Sequence, residues 1–308
     1  MLHREKSRNQ FRQTIRTAQY ELRSALRIIL FILLLFFASY VFGQTAPCIN
    51  VDSTGVGGSV MNPSRRPVPY PYLREADVMW SKRIWRTLDL REKMNQPYYY
   101  PETPHDGLQS LFDLIKCGVM SGAITAFDNP AMDDEFKVKM DPAAVENLLV
   151  SKEVISVENP NAPGTYEEDT VVNEISSTDI LAYWIKEDWF FDKQRSVMDV
   201  RILGICPMAT KTDPSSGAVL GYRPLFWLYF PQLRPLLVKQ GVYLGQNYAQ
   251  RITYDDMFQK RYFSSYIHKE SNVYDRTINQ YETGVDALLE SDRIKNEISN
   301  FESDMWHY

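Results

Sequence analysis

The sequence predicts an α+β protein with a mainly antiparallel central sheet flanked by two related helix pairs, the halves of a pseudo-repeat. Three observations carry this. Residues 197–206 place Val197, Met198, Val200, Ile202, Leu203 and Ile205 on both faces of a strand, the pattern of a central strand covered on both sides. Apolar residues recur at helical spacing on either side of it. The stretch 77–85 is echoed by 255–263, so that Trp80 answers Phe258 and Trp85 answers Phe263, with Asp, Met, Lys and Arg repeated in register. Farther on, Gly107, Leu108, Leu111 and Phe112 answer Gly284, Val285, Leu288 and Leu289.

Taken in order, residues 1–43 read as a signal peptide. Arg4, Lys6, Arg8, Arg12, Arg16, Arg23 and Arg27 form a basic stretch, and residues 28–38 are continuously apolar. Gly43 is a small residue before Gln44, which predicts cleavage between the two. The apolar run to Phe42 is shorter than the roughly 20 residues that span a bilayer, and retention as an anchor is the alternative. Residues 44–72 read as an extended Gly/Pro-rich linker arm, with Gly55, Gly57 and Gly58 followed by Pro63, Pro67, Pro69 and Pro71. These glycines have no strand before them and no helix after them, so they do not make a phosphate loop. The part 62–72 is a candidate partner contact as well as a tether. Residues 73–308 then form a single two-lobed α+β domain.

Within that domain, Leu73, Ala76, Trp80, Ile84 and Leu88 predict a helix over 74–95, which Pro97 stops. A second helix covers 108–120, with Leu111, Leu114 and Ile115 inward, and a short strand covers 123–127. Strands at 152–157 and 169–175 flank a turn at 159–164, and Asn129-Pro130 marks another turn. Ser177, Thr178 and Asp179 are residues that cap helices, and Ile180, Leu181, Trp184 and Ile185 follow at helical spacing. The strand 197–206 ends at Pro207, which has no N–H for a ladder. After a loop at 213–217, Phe226, Trp227, Leu228 and Tyr229 alternate in a return strand over 225–230. Helices at 254–269 and 285–306 complete the chain.

The whole chain carries 34 Lys+Arg against 39 Asp+Glu. Without residues 1–43 the balance is 27 against 37, a net charge of −10. That excludes a nucleic-acid reader, which needs a clustered basic patch, and disfavours docking on anionic lipid. His3, His105, His268 and His307 are scattered, so neither a metal site nor a cofactor is expected. Thr45-Ala46-Pro47 before Cys48 is not a lipoprotein signal. An oxidising compartment allows one disulfide among three cysteines. Cys117 and Cys206 lie in structured segments and are the pair expected if a bridge forms. The favoured reading is that both are buried as small hydrophobes.

Glu187, Asp188 and Asp192 invite an enzymatic reading, because glycoside hydrolysis uses paired carboxylates. The other reading is that they solvate the exposed side of a helix end. No nucleophile, metal cluster or phosphate loop accompanies them, so no catalytic residues are expected.

The segments READVMWSKRIWRTLDLREKMNQPYYYP (74–101), LFDLIKCGVMSGAITAFD (111–128), IKEDWFFDKQRSVMDVRILGICP (185–207), FPQLRPLL (230–237) and QKRYFSSYIHKESNVYDR (259–276) together resemble the GldN/PorN family of gliding-motility and type IX secretion proteins of Bacteroidetes. That resemblance implies a non-enzymatic structural subunit of the periplasm. It implies a ring beneath the outer membrane formed with the lipoprotein GldK/PorK, and contact with the periplasmic part of GldM/PorM. It supplies no catalytic residues and no residue-level interface. The rival classes are an extracytoplasmic carbohydrate-active hydrolase using Glu187 and Asp192, and a glycan-binding module using exposed Trp and Tyr.

Overall fold

The computed structural model describes Cys48 and residues 64–105, 107–128, 135–158, 166–212, 219–243 and 252–305. The expected leader, its cleavage between Gly43 and Gln44, the glycines of the arm, and the turns and loop expected at 129–130, 159–164 and 213–217 lie outside these residues.

In chain order the regular elements are β1 (Val78–Asp89), α1 (Gln96–Tyr99), α2 (Leu111–Met120), β2 (Ala126–Phe127), α3 (Pro142–Leu149), β3 (Val150–Glu158), β4 (Tyr166–Glu174), β5 (Ile180–Asp192), β6 (Val197–Thr212), β7 (Val219–Pro224), β8 (Trp227–Tyr229), α4 (Phe230–Leu237), α5 (Tyr254–Gln259), β9 (Tyr266–Glu270) and α6 (Val285–Asp304). Seven strands form one sheet in the order β2-β8-β6-β5-β1-β9, with β7 also pairing to β6. β3 and β4 form a separate antiparallel hairpin. The class is therefore α+β with a mainly antiparallel sheet, and β6 is an inner strand, as its two apolar faces require.

Two of the expected helices are strands, and a third is part helix and part strand. β1 replaces a helix over 74–95, β5 replaces the one after Asp179, and 254–269 divides into α5 and β9. The misreading has a definite cause. Trp80, Ile84 and Leu88 are four residues apart, and four is also a multiple of the strand period of two. The discriminating residues are the odd ones between them: Trp85 and Thr87 are buried on the opposite face. A segment apolar on both faces, rich in aromatic and β-branched residues, is a sheet strand. Ser176 and Asp179 do form a capping box, but it closes only the 3-10 turn Ser177–Asp179 before the chain extends into β5.

The pseudo-repeat does not survive this. Residues 77–85 lie largely in β1, whereas 255–263 begin in α5. Trp80 packs half-buried beside α6, while Phe258 is fully buried in the main core. The sequence echo is thus carried by two segments of different backbone and different surroundings.

β6 runs past Pro207 to Thr212. Its partner changes there, from β8 at Gly204 and Ile205 to β7 from Met208 onward. The carbonyl of Pro207 still accepts from Leu225 N–H at 3.0 Å. Proline's missing donor falls at the changeover between two neighbours and interrupts neither ladder. The return strand is shorter than expected, because Phe230 opens α4 with Pro231 in its first turn.

The main core lies on one side of the sheet. Leu88, Tyr183, Ile185 and Ile205 meet Leu111, Leu114 and Ile115 of α2, Leu233 and Leu237 of α4, and Met257 and Phe258 of α5. Beside it, Ile84 and Ile267 pack under Ile294 and Ile298 of α6. A fully buried aliphatic side chain contributes about 1.5–3 kcal/mol, so these contacts fix α6 despite its largely polar surface. α6 also protects the sheet edge: the Ile267 N–H of β9 donates to Ser291 Oγ at 2.9 Å, giving an edge donor a partner. On the opposite side of the sheet, Trp85, Phe127, Cys206 and Trp227 form a smaller cluster.

Candidate functional site

Each of the three candidate carboxylates has its own basic partner, and the structure brings them into no shared pocket. Along β5 successive side chains alternate between faces. Glu187 pairs across the sheet with Ile84 and Ile202, whereas Asp188 pairs with Arg83 and Arg201. Asp188 binds Arg83 through two bonds of 2.6 and 2.9 Å. Asp192 ends β5 and organises the turn into β6. It accepts from Gln194 N–H at 2.8 Å and from Arg195 Nε at 2.6 Å. The Arg195 hydrogen bond holds its carboxyl below the usual range. None of the three main clefts among the described residues is lined by Glu187 together with Asp192. The reading of these acids as a solvated helix end also fails, because Glu187 is completely buried.

Glu187 is instead the centre of a charge cluster. Its carboxylate accepts from Arg86 Nε at 3.0 Å, from Arg261 Nη1 at 2.8 Å and Nη2 at 3.3 Å, and from Trp189 Nε1 at 2.9 Å. Both guanidiniums lie over the Trp189 ring, 5.6 and 5.2 Å from its centroid. Burial pulls the Arg86 pKa down, Glu187 offsets part of this, and Arg261 adds repulsion. Two cations therefore share one anion.

Local structure aims Arg261 at this point. It follows the C-cap of α5 with φ of 54°, in the left-handed region. Its N–H donates to Phe258 O and the next N–H, of Tyr262, donates to Met257 O, closing the helix end. Glycine ordinarily fills such a position, because a Cβ there is strained. Arginine occupies it here, and its side chain turns back to Glu187 and lies 5.0 Å from the Phe263 ring centroid.

This cluster forms the floor of a cleft of about 450 Å³ between the sheet and α6. Arg86, Trp189, Arg261 and Phe263 line one side with Met94, Ser264 and Ser265, and Lys295, Ile298, Ser299 and Glu302 of α6 line the other. A second cleft, of about 640 Å³, lies on the far face of β1 and β5. Within it Arg83 pairs with Asp188, and Lys82 pairs with Glu270 and Glu297. Trp85 lies between Lys186 and Lys269, 5.5 and 4.5 Å away. No described tryptophan is among the strongly exposed side chains, so the described residues supply no tryptophan platform for a glycan.

The disulfide joins Cys48 to Cys117, not Cys117 to Cys206. Cys206 is a buried free thiol in the smaller cluster, and burial pushes its pKa up. Cys206 lies on the face of β6 away from α2, whereas Cys117 packs against the main core that contains Cys48. Placing Cys48 in the linker arm hid this pairing. In the structure its carbonyl accepts from Gln109 Nε2 at 2.7 Å, and its side chain is buried.

The described part of the arm also binds its own chain. Arg65 pairs with Asp256 through bonds of 2.9 and 3.0 Å. The Tyr70 ring lies 4.6 Å from the Arg234 guanidinium and 5.4 Å from that of Arg201, with its hydroxyl accepting from Gln259. Arg234 is fixed in turn by a buried fork onto Asp255. Sequence reading missed these arginines. Their signal is weak, because each acts with a residue more than 20 positions away.

Among the described residues, no group of His, Cys, Asp and Glu is arranged to hold a metal ion, and no helix is long and apolar enough to cross a membrane. A comparison with curated proteins finds no match. A comparison with protein-family models finds that residues 73–307 match the one described as gliding motility associated protein GldN.

Proposed function

Because the chain belongs to the GldN family of gliding-motility-associated proteins, we propose that it is a structural subunit of the type IX secretion machinery, assembled in many copies on the periplasmic side of the outer membrane. The observation that carries this reading is the family match, which extends over nearly the whole of the described fold. A GldK/PorK-like lipoprotein holds the subunit at the membrane, and a GldM/PorM-like protein meets it from the inner-membrane side. Copies of the chain contact one another in a ring, using two different patches, as a head-to-tail closure requires. The chain works by contact rather than by turnover.

Two features support the placement. The Cys48–Cys117 bond suits an oxidising compartment, and a leader over residues 1–43 cleaved before Gln44 would deliver the chain there. A chain that leaves the membrane with a net charge of −10 needs a protein, not a lipid surface, to hold it. The test is native co-purification: the chain is isolated from gently solubilised envelope and its companions are identified. Recovery with an outer-membrane lipoprotein in a stable complex is expected. Recovery alone, from cells that contain that lipoprotein, overturns the reading.

A further inference from the structure

We propose that the cleft between β5, the end of α5 and α6 binds a carboxylate borne on an apolar segment of a partner protein. The inference rests on the assembly reading above for the source of that segment, but the site itself stands on geometry. Arg86 is more than nine-tenths buried, yet only its Nε meets Glu187. Among the described residues its two terminal nitrogens donate to no protein acceptor, and Arg86 lines the cleft. Neither nitrogen is a buried atom left without a partner, so the cleft offers a ligand an accessible guanidinium edge with donors to spare. Arg261 adds a second guanidinium, held in place by a strained backbone, and such strain concentrates where a side chain must be aimed.

The charge count selects the ligand. Arg86, Arg261 and Lys295 face Glu187 and Glu302, leaving one positive charge in excess. A carboxylate cancels it, whereas a doubly charged phosphate overshoots it inside a partly buried site. The planar fork of arginine fits a carboxylate through two parallel bonds. Trp189, Phe263 and Ile298 give the walls an apolar character, so the carboxylate is best presented between apolar neighbours, as a Glu flanked by Leu would be. The volume of about 450 Å³ lies in the range of about 300–1,000 Å³ typical of ligand pockets.

The test uses the purified full chain and three probes: acetyl-Leu-Glu-Leu-amide, its Gln counterpart, and inorganic phosphate, followed by calorimetry and by tryptophan fluorescence. The Glu peptide is expected to bind about tenfold more tightly than the Gln peptide, the ratio that one charge-assisted hydrogen bond supplies. Arg86→Lys, which keeps the charge but loses the fork, is expected to weaken binding by a similar factor. If that variant fails to fold, Ser299→Glu decides. Ser299 is exposed on the opposite wall, outside the Glu187 contacts, and a carboxylate there should abolish binding. Equal binding of the two peptides, or full binding by Ser299→Glu, overturns the proposal. Displacement of the Glu peptide by an equal concentration of phosphate replaces it with a phosphate site. Absent peptide binding with intact envelope complexes overturns the cleft and leaves the assembly reading standing. Intact peptide binding without envelope complexes does the reverse.

Discussion

Replacing Glu187 with Gln should be among the most damaging single changes in the described fold. Glu187 is completely buried and compensates Arg86 and Arg261 together. The amide keeps the volume and can still accept from Trp189, but it leaves two guanidiniums without an anion. Removing one partner of a buried pair costs about 3–5 kcal/mol. Arg261 has 28% of its side chain exposed and can turn toward water, whereas Arg86 has 8% and cannot. The cost therefore falls at the lower end, about 3 kcal/mol. At about 2–4 °C per kcal/mol for a domain of this size, the midpoint of thermal unfolding drops by about 6–12 °C. Circular dichroism of the purified variant measures it. Asp188→Asn is the control, because its pair with Arg83 is half-exposed and removal should cost no more than about 1 kcal/mol. A Glu187→Gln shift below about 2 °C would refute the reasoning and mean that Arg86 rehydrates without penalty.

Three further expectations concern the fold. Cys48→Ser opens a loop of 69 residues and should cost about 4 kcal/mol in the chain-entropy account, while thiol titration of the unreduced wild-type chain should find one thiol, reactive only after unfolding; two reactive thiols in the folded chain would contradict the bond. Gly204→Ala places a Cβ 2.5 Å from the Phe136 ring and 3.2 Å from the Leu228 carbonyl, so a loss of about 1–3 kcal/mol in urea unfolding is expected, and wild-type stability would show that the ring moves aside freely. His268, stacked on Trp184, has its pKa pushed down to about 3 by burial, with the nearby Lys269 adding to this. Because the folded state resists protonation, this contribution is complete above the unfolded value of about 6.5 and is lost as pH falls toward 3, at up to about 1.4 kcal/mol per unit. A His268→Gln chain should show a flatter stability profile between pH 6 and 4, and an unchanged slope would contradict the burial argument.

The sequence revealed the fold class, the inner strand β6, the helices α2 and α6 and the β3–β4 hairpin, because each has a period or a turn chemistry that admits one reading. It misled at β1, β5 and β9. There the apolar residues sit four apart, a spacing that helix and strand share, and the choice is made by neighbours such as Trp85 and Thr87 whose burial depends on the rest of the sheet. The apparent repeat failed for the same reason: residue identity in register does not fix backbone conformation. The charge cluster was half visible. Glu187 stood out as an acid amid aromatics, but its partners come from β1 and from the end of α5, 101 and 74 positions away. The disulfide was missed because a Pro-flanked cysteine near a Gly-rich stretch looks like part of a linker, and only the packed structure shows Gln109 and Cys117 receiving it.

The assembly claim is tested most directly by sedimentation of solubilised envelope from cells with and without the outer-membrane lipoprotein. The chain should run as part of a large complex when the lipoprotein is present and shift to a small species when it is absent. A chain that sediments as a free monomer in the presence of the lipoprotein contradicts the account.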